Sequence, residues 1–449
     1  MTPSRLAPQP SGWRQAALVG LALAAGARAA PAQDSVPPPD AVRIGIEYRP
    51  GVRPTIVVLP ARGIDSVRAI LSRDLDYSDR FDVIALGTSD TTGAGPDRSV
   101  NYPLFRTLGA EYGVELVPEG GGARVLVRLH DMTAGLVRTE QRFPLPVQAE
   151  AEFRMAVHRI ADEVVRWVTG TPGYAASRLA LVVNRRVYMV DSDGARLTPL
   201  TPEGESALSP AWSPDGRRMA YTRFAAGTGS IVVLDLATGA RRVTPGTARA
   251  LNITPAFAPD GRTLAYARAD EDGTDIYSAD VVLGCCVQRL TVGRYSDNLS
   301  PTYAPDGRRL AFVSTRAGLP QIYVMSADGT DQELLAPFDY GVTGSSNAPE
   351  WSPDGASVVF HRDVSGTPQI FVLDVANRRV RQLTSAGRNE DPTWAPDGRH
   401  VAFVSDRSGQ RQLWVIDIVT GRIRQLTFIG QARLPAWSRR LTAGGATAN

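Results

Sequence analysis

The chain has 449 residues, of which 43% are hydrophobic and 21% are charged, a globular composition that excludes global disorder. Its formal net charge is +3, but Arg5, Arg14 and Arg28 are the only charged residues before Gln33. Without these three arginines the net charge is zero, so the charge gives no reason to expect a nucleic-acid partner.

The first 32 residues have the layout of a secretory signal peptide. Two early arginines precede an apolar run from Ala16 to Ala25, and small residues follow up to Ala32. This run is shorter than the ~20 residues that a membrane-spanning helix needs. The sequence therefore predicts cleavage within residues 29–32 and a periplasmic protein that is not inserted in the membrane.

After a flexible, Pro-rich segment at residues 33–40, strand and helix patterns alternate over residues 41–170, which predicts an α/β domain. Strands are predicted at residues 55–59, 81–86, 114–117, 124–129 and 136–143. Apolar residues at helical spacing predict helices after Ile64, over residues 102–112, and from Phe153 to about Val168. Gly170, Pro172 and Gly173 end the last helix and form a linker.

Residues 177–440 carry a tandem repeat in which a proline, any residue, an aromatic and a small residue precede Pro-Asp-Gly. The repeat prolines are Pro210, Pro255, Pro301, Pro349 and Pro392. Each period of 43 to 48 residues resolves into four short strand patterns. Four antiparallel strands per period are typical of one blade of a β-propeller.

Two features of each repeat have structural explanations. Proline suits the second position of a type I turn, aspartate the third, and glycine the left-handed backbone that follows, so Pro-Asp-Gly predicts a tight hairpin. The aromatics are expected to pack between neighbouring blades; they are Trp212, Phe257, Tyr303, Trp351 and Trp394.

A sixth copy is split between the two ends of the repeat region. Residues 178–200 resemble the second to fourth strands of a blade, and Pro435-Ala-Trp-Ser438 resembles the missing first strand. Pairing of residues 435–438 with Leu179–Val183 would close six blades into a ring without open edges. The predicted fold is an α/β N-terminal domain followed by an all-β six-bladed propeller, with residues 441–449 as a tail.

Cys285 and Cys286 are the only cysteines of the chain. A vicinal disulfide is one interpretation. The other is two unlinked thiols on opposite faces of a strand, and we favour it because neighbouring strand residues point to opposite sides. No CxxC spacing indicates a redox function.

The order of these parts, from Ala41-Val-Arg-Ile44 to Leu434-Pro-Ala-Trp-Ser438, resembles the TolB family of periplasmic β-propellers. The resemblance implies a non-enzymatic adaptor of the Tol–Pal system, without a cofactor, that supports outer-membrane integrity and envelope constriction at cell division. It implies two partners, the peptidoglycan-associated lipoprotein Pal and the inner-membrane protein TolA, and a monomer outside the complex.

The same resemblance locates the two binding surfaces. Pal would bind polar residues in the loops that enter the innermost strands: Asn252, Asp297, Asn298, Asn347, Glu390, Asp391 and Arg433. TolA would bind the segment of residues 33–46, with Asp40, Val42, Arg43 and Ile44 as its recognisable part. The alternative for that segment is an ordinary disordered terminus.

Enzymatic functions lack their motifs. The chain has no GxSxG nucleophile elbow, and the repeats end close to the C-terminus, which leaves no room for a hydrolase domain. Only two histidines lie in the repeat region, His361 and His400, so a histidine-based metal site is not expected there. The alternative to an adaptor is a periplasmic propeller that binds a glycan or peptide ligand in its channel.

Overall fold

The computed structural model describes residues 53–61, 63–87, 100–225, 227–244, 250–293, 295–338 and 344–442. The predicted signal peptide and the predicted TolA-binding residues Asp40, Val42, Arg43 and Ile44 lie outside the described residues. No helix in these ranges is long and apolar enough to cross a membrane.

The described residues before Gly170 form a mixed α/β layer structure. In chain order its elements are β1 (Thr55–Val58), α1 (Asp65–Tyr77), β2 (Asp82–Ile84), α2 (Tyr102–Thr107), β3 (Tyr112–Glu119), β4 (Arg124–Asp131), β5 (Leu136–Pro144) and α3 (Phe153–Thr169). The sheet order is β2-β1-β3-β4-β5, with β1 parallel to both of its neighbours. The apolar faces of α1 and α3 pack against this sheet in one buried core, as the helical spacing predicts.

Helix α2 is shorter than the sequence predicts. It ends at Thr107 instead of continuing to residue 112, because Gly109 adopts a left-handed backbone with φ of 82° and β3 begins at Tyr112. Asn101 caps the start of α2, where its side chain accepts a hydrogen bond of 3.1 Å from Leu104 N.

From Arg178 onward the described chain is built of strands. In chain order they are β6 (Arg178–Val183), β7 (Arg186–Asp191), β8 (Thr198–Pro199), β9 (Ser206–Trp212), β10 (Arg218–Ala225), β11 (Thr228–Asp235), β12 (Arg241–Val243), β13 (Leu251–Phe257), β14 (Thr263–Asp270), β15 (Gly273–Asp280), β16 (Cys285–Arg289), β17 (Asn298–Tyr303), β18 (Arg309–Ser314), β19 (Gln321–Ser326), β20 (Glu333–Leu334), β21 (Ser346–Trp351), β22 (Ser357–Val364), β23 (Thr367–Asp374), β24 (Val380–Gln382), β25 (Asn389–Trp394), β26 (His400–Ser405), β27 (Gln412–Asp417), β28 (Ile423–Gln425) and β29 (Arg433–Trp437).

These strands form successive four-stranded antiparallel groups, the arrangement of a β-propeller. Strands β17–β20, β21–β24 and β25–β28 are separate sheets. Strands β9–β12 and β13–β16 belong to one larger sheet, joined by a parallel bridge between Gly229 and Leu251. Strands β6–β8 form the remaining group, and their fourth strand comes from the other end of the repeat region.

That fourth strand is β29. It pairs antiparallel with β6, with Trp437 opposite Leu179 and Arg433 opposite Val182. Ser438 N also donates a hydrogen bond of 2.8 Å to Arg178 O. This is the strand pair that the divided sixth repeat predicts.

The Pro-Asp-Gly segments are the turns between the first two strands of each group. In the copy at Pro214, Gly216 N donates to Ser213 O at 2.9 Å, the closing bond of a β-turn. The glycines of all five copies have φ between 65° and 72°, a backbone that favours glycine.

The two cysteines form a disulfide, so the prediction of unlinked thiols is wrong. That prediction assumed the alternating side chains of a regular strand. Cys286 instead has φ of 61°, and the pairing between β15 and β16 shifts register at this point. The local departure from strand geometry allows adjacent cysteines to meet.

The segment between α3 and β6 is held firmly. Both carboxylate oxygens of Asp162 on α3 accept main-chain hydrogen bonds, from Ala175 N at 2.7 Å and Ala176 N at 3.0 Å. Burial raises the pKa of Asp162 to about 7. Tyr174 donates to Tyr77 O at 2.7 Å and packs edge-on against Trp437. The linker is therefore part of the contact between the N-terminal region and the propeller.

Candidate functional site

The predicted partner-binding residues lie at the beginnings of the innermost strands. Only Asp297 is in a connecting segment, whereas the sequence predicts loops for the whole set. The others are strand residues: Asn252 in β13, Asn298 in β17, Asn347 in β21, Glu390 and Asp391 in β25, and Arg433 in β29. Since these strands run in the same sense, the residues gather at one mouth of the propeller.

Two of the predicted residues have their side chains inside the fold. Asn252 is buried, and its Nδ2 donates to Gly229 O at 3.0 Å. Asn298 is fully buried; its Nδ2 donates to Thr274 O at 3.2 Å, and its Oδ1 accepts from Arg316 at 3.1 Å. These contacts tie neighbouring strand groups together, so neither amide faces a partner.

The remaining predicted residues are concentrated on three neighbouring strands. Arg433 is exposed, and Asn347, Glu390 and Asp391 are half-buried. Three residues that sequence reasoning missed complete the group, and we call the whole the rim cluster: Asn347, His361, Arg388, Glu390, Asp391, Arg411 and Arg433. His361 lies directly opposite Asn347 in the strand register, a signal that repeat alignment alone could have supplied. Asp297 is exposed but lies on another strand group.

Ion pairs and hydrogen bonds organise the rim cluster. Glu390 forms ion pairs with Arg388 at 3.2 Å and with Arg411 at 3.3 Å. Asp391 N donates to His361 Nδ1 at 3.2 Å, so this ring nitrogen is an acceptor. Burial lowers the pKa of His361 and raises that of Asp391, although each group opposes the shift of the other. The cluster thus combines half-buried hydrogen-bond acceptors with exposed charge.

A repeated backbone distortion precedes each repeat proline. The residue before it has φ between 47° and 53° in all six copies, an uncommon backbone for residues other than glycine. These residues are Ser209, Thr254, Ser300, Ala348, Asp391 and Leu434. The strand pairing shifts register at the same point in each innermost strand, as in a β-bulge.

The bulge allows neighbouring innermost strands to be bridged by side chains. Ser300 N donates to Thr254 Oγ1 at 3.2 Å, and Leu434 N donates to Asp391 Oδ2 at 3.3 Å. Asp391 therefore links the main chains of β25 and β29 directly beneath the exposed Arg433. The hydrogen bond from Leu434 N gives the half-buried carboxylate of Asp391 a partner at the rim.

The opposite mouth contains a cavity of about 260 Å³. Its wall consists of the Pro-x-aromatic segments of the six copies, so we call it the Pro-Asp-Gly cavity after the turns beside it. The aromatics bridge neighbouring strand groups as predicted: Trp212 Nε1 donates to Ala436 O at 3.0 Å, and Trp394 Nε1 donates to Glu350 O at 3.2 Å. Trp351 and Trp394 are buried.

The N-terminal region contacts the propeller at this same end, beside the turn of Pro396-Asp-Gly398. Asp79, which follows α1, is fully buried and accepts from His400 Nε2 at 3.1 Å. Arg422 and Arg424 form ion pairs with Asp79 at 2.9 Å and 3.1 Å. The rim cluster is therefore at the mouth away from the N-terminal region.

Among the described residues, two buried groups of carboxylates and histidine have atoms close enough to surround a cation. They are Asp74, His158 and Asp193, and Asp79, His400 and Asp417. In each, arginines already bind the carboxylates: Arg73 and Arg154 contact Asp193, and Arg399 contacts Asp417. The contacts are those of ion-pair networks between the N-terminal region and the propeller.

Comparison with known proteins agrees with this architecture. The sequence model of the TolB β-propeller domain matches residues 165–340 and 339–443. The chain belongs to the TolB family. Its curated relatives include the Tol-Pal system protein TolB of Methylococcus capsulatus, 36% identical over 188 residues, which are 40% of this chain and 43% of that protein. The TolB of an Azoarcus species is 35% identical over 40% of this chain and 42% of its own.

The alignments thus span about two fifths of the length of these TolB proteins. Among solved structures, TolB from Acinetobacter baumannii superposes with a TM-score of 0.74 over 87% of this chain and 98% of its own. The two are 24% identical, so this likeness concerns the fold.

Proposed function

We propose that this chain is a non-enzymatic scaffold of the Tol–Pal system in the periplasm. The observation that carries the proposal is the family match, whose residues 165–443 include the whole rim cluster. The curated relatives are named for the same system. The chain would support envelope constriction by joining partners rather than by catalysis.

The proposal includes a specific organisation of the chain. A signal peptide at residues 1–32 directs export, residues 41–170 form the first domain, and residues 177–440 form a propeller of six blades. The β29–β6 pair supports closure of these blades into a ring, because it joins the two ends of the repeat region in one sheet.

In this proposal Pal binds at the rim cluster. Its charged side chains lie at one mouth, in or directly before β25, β27 and β29, and Arg433 is exposed there without an ion pair among the described residues. Exposed arginines are frequent anchors at protein interfaces. TolA would bind the segment of residues 33–46. In the sequence this segment precedes the first domain, whereas the rim cluster follows it.

Titration of the purified mature chain with the periplasmic domain of Pal from the same organism tests the proposal. We expect binding at micromolar concentration or tighter, and at least a tenfold loss for Arg433→Glu, which replaces an exposed cation with an anion beside Asp391. Arg217→Glu is the matched control, because Arg217 is also exposed but lies beside a Pro-Asp-Gly turn at the other mouth.

Absence of binding by a folded sample at these concentrations would refute the assignment of Pal as partner. Equal losses for Arg433→Glu and Arg217→Glu would place the contact elsewhere on the propeller. Deletion of residues 33–46 should leave Pal affinity unchanged and abolish capture of TolA.

A further inference from the structure

The wall of the Pro-Asp-Gly cavity is uneven. The residue after each repeat proline lines the cavity, and its size differs between the two halves. Three neighbouring strands have polar side chains at this position, Thr302, Glu350 and Thr393. On three others the residue is alanine: Ala436, Ala211 and Ala256.

This difference decides whether main-chain donors in the wall are satisfied. Ser213 N donates to Arg218 O, and the alternation of an antiparallel pair then turns the N–H of Trp212 away from β10. The equivalent N–H of Trp394 donates to Glu350 Oε1 at 3.1 Å, and that of Trp437 donates to Thr393 Oγ1 at 3.0 Å. Glu350 and Thr393 therefore cap the donor of the next strand, whereas Thr302 makes no such bond to Trp351 N in the described chain.

On the alanine side the caps are missing. The N–H groups of Trp212, Phe257 and Tyr303 follow Ala436, Ala211 and Ala256 around the channel, and a methyl group cannot accept a hydrogen bond. The strand register turns each of these three N–H groups away from its paired strand, and none of them donates to a side chain of the described residues. They form a row of donors on one wall of the cavity.

Positive charge lies at the same mouth. Arg439 lines the cavity, is exposed, and forms no ion pair in the described part of the chain. Glu350 lines the same cavity and attracts Arg439, but burial raises the pKa of Glu350 to about 7, so at neutral pH its negative charge offsets that of Arg439 only in part. The wall thus offers several donors and one cation to an incoming acceptor group.

We propose that the Pro-Asp-Gly cavity binds the C-terminal carboxylate of a peptide chain. The N–H groups of Trp212, Phe257 and Tyr303 donate to the carboxylate and the last carbonyl of the peptide, while Arg439 pairs with its charge. The cavity of about 260 Å³ is large enough to admit the end of a peptide chain. Capture of a terminal carboxylate by main-chain donors is an established recognition mode.

Calorimetric titration with a matched pair of peptides tests this site. Gly-Ala-Ala-Ala with a free carboxylate and the same peptide with a C-terminal amide are titrated into the mature chain at pH 7. We expect the free acid to bind at least tenfold more tightly than the amide. Arg439→Gln should weaken binding of the acid at least fivefold and leave the amide unchanged.

A second variant tests the donors directly. Ala211→Asp should abolish binding, because its carboxylate would cap the Phe257 N–H as Glu350 caps that of Trp394 and would repel the ligand. Arg217→Gln, an exposed arginine on the same face, is the control and should bind as the wild type does. Circular dichroism of each variant establishes that it is folded.

Equal affinity for acid and amide, or undiminished binding by both folded variants, would overturn the proposal. So would an absence of binding at millimolar peptide. Acetate or inorganic phosphate that competes as strongly as the peptide would show adventitious anion binding only and equally refute a peptide site.

Discussion

Asp79 is the residue on which the buried contact between the N-terminal region and the propeller depends. It has no exposed surface, its φ is 54°, and it binds His400, Arg422 and Arg424 at once. Burial alone would raise its pKa, but these partners outweigh burial and lower it. The charge of Asp79 is therefore needed to balance three groups that the fold brings together.

We expect Asp79→Asn to lower the free energy of unfolding by about 3 kcal/mol, because it leaves buried cationic groups without their anion. Chemical denaturation measures this loss. Asp82→Asn is the control: Asp82 pairs with Arg53 on the surface, and its loss should cost less than about 1 kcal/mol. Equal effects of the two substitutions would contradict a central role for Asp79.

The same cluster predicts a dependence on pH. The pKa of Asp79 is lowered, so its contribution is present above about pH 4, the value for an unfolded aspartate, and is lost on acidification through the folded value. Burial disfavours charge on His400, but Asp397 and Asp79 raise its pKa overall. Its contribution is complete below about pH 6.5 and falls as the pH rises through the folded value. In melting temperatures measured against pH, Asp79→Asn should remove the loss on acidification that comes from Asp79. It should only reduce the dependence that comes from His400, because Asp397 also raises the pKa of His400.

Among the strands and helices, we expect removal of the C-terminal strand β29 to lower the stability of the propeller most. Truncation after Gly430 removes β29, exposes the inner edge of β6 and takes Trp437 from a buried core. We expect loss of cooperative folding or a fall in melting temperature of more than 10 °C, since buried tryptophan alone contributes about 3–5 kcal/mol. Truncation after Thr442 keeps β29 and is the control. An unchanged melting transition without β29 would refute its closing role.

The sequence predicted best those elements whose structure depends on residues nearby in the chain. The Pro-Asp-Gly turns and the apolar faces of α1 and α3 depend on neighbours within one or two turns of chain, and the structure agrees with them. The end of α2 depends on Gly109. The apolar pattern of residues 102–112 continues past this glycine, so the pattern predicts a helix that is too long. The disulfide at Cys285 depends on a register shift against β15, which no local pattern indicates.

The sequence predicted at which mouth of the propeller the candidate residues lie, but not which of their side chains are buried. Repeat spacing placed Glu390, Asp391 and Arg433 at one mouth, because equivalent positions of tandem repeats gather at one end. It could not show that Asn298 is buried, since that depends on a contact with Asp275 from the preceding strand group. The sequence also did not reveal the row of uncapped N–H donors that includes Trp212. The Trp212 N–H is uncapped because the facing residue, on another strand, is an alanine.

For the whole molecule, the segment around Tyr174 couples the two parts of the chain. Asp162 holds its main chain, and Tyr174 contacts both α1 and β29 through Tyr77 and Trp437. Unfolding of either part therefore removes contacts from the other. We expect one calorimetric transition for the wild type.

Asp162→Ala should separate the melting of the two parts into resolved transitions, because the main-chain N–H groups of Ala175 and Ala176 lose their acceptors. Differential scanning calorimetry at pH 7 detects the separation. Glu163→Ala, which removes the neighbouring carboxylate and its surface ion pair with Arg166, should keep a single transition. A single transition for both variants would show that coupling does not depend on this segment.

The pairing of β29 with β6 also constrains the order of events in biosynthesis. The sheet that begins at Arg178 lacks its innermost strand until residues 433–437 have left the ribosome, about 250 residues later in the chain. Its hydrophobic inner edge cannot be completed during translation of the preceding repeats. The sheet of β6 therefore stays incomplete, and accessible to chaperones, for as long as synthesis lasts.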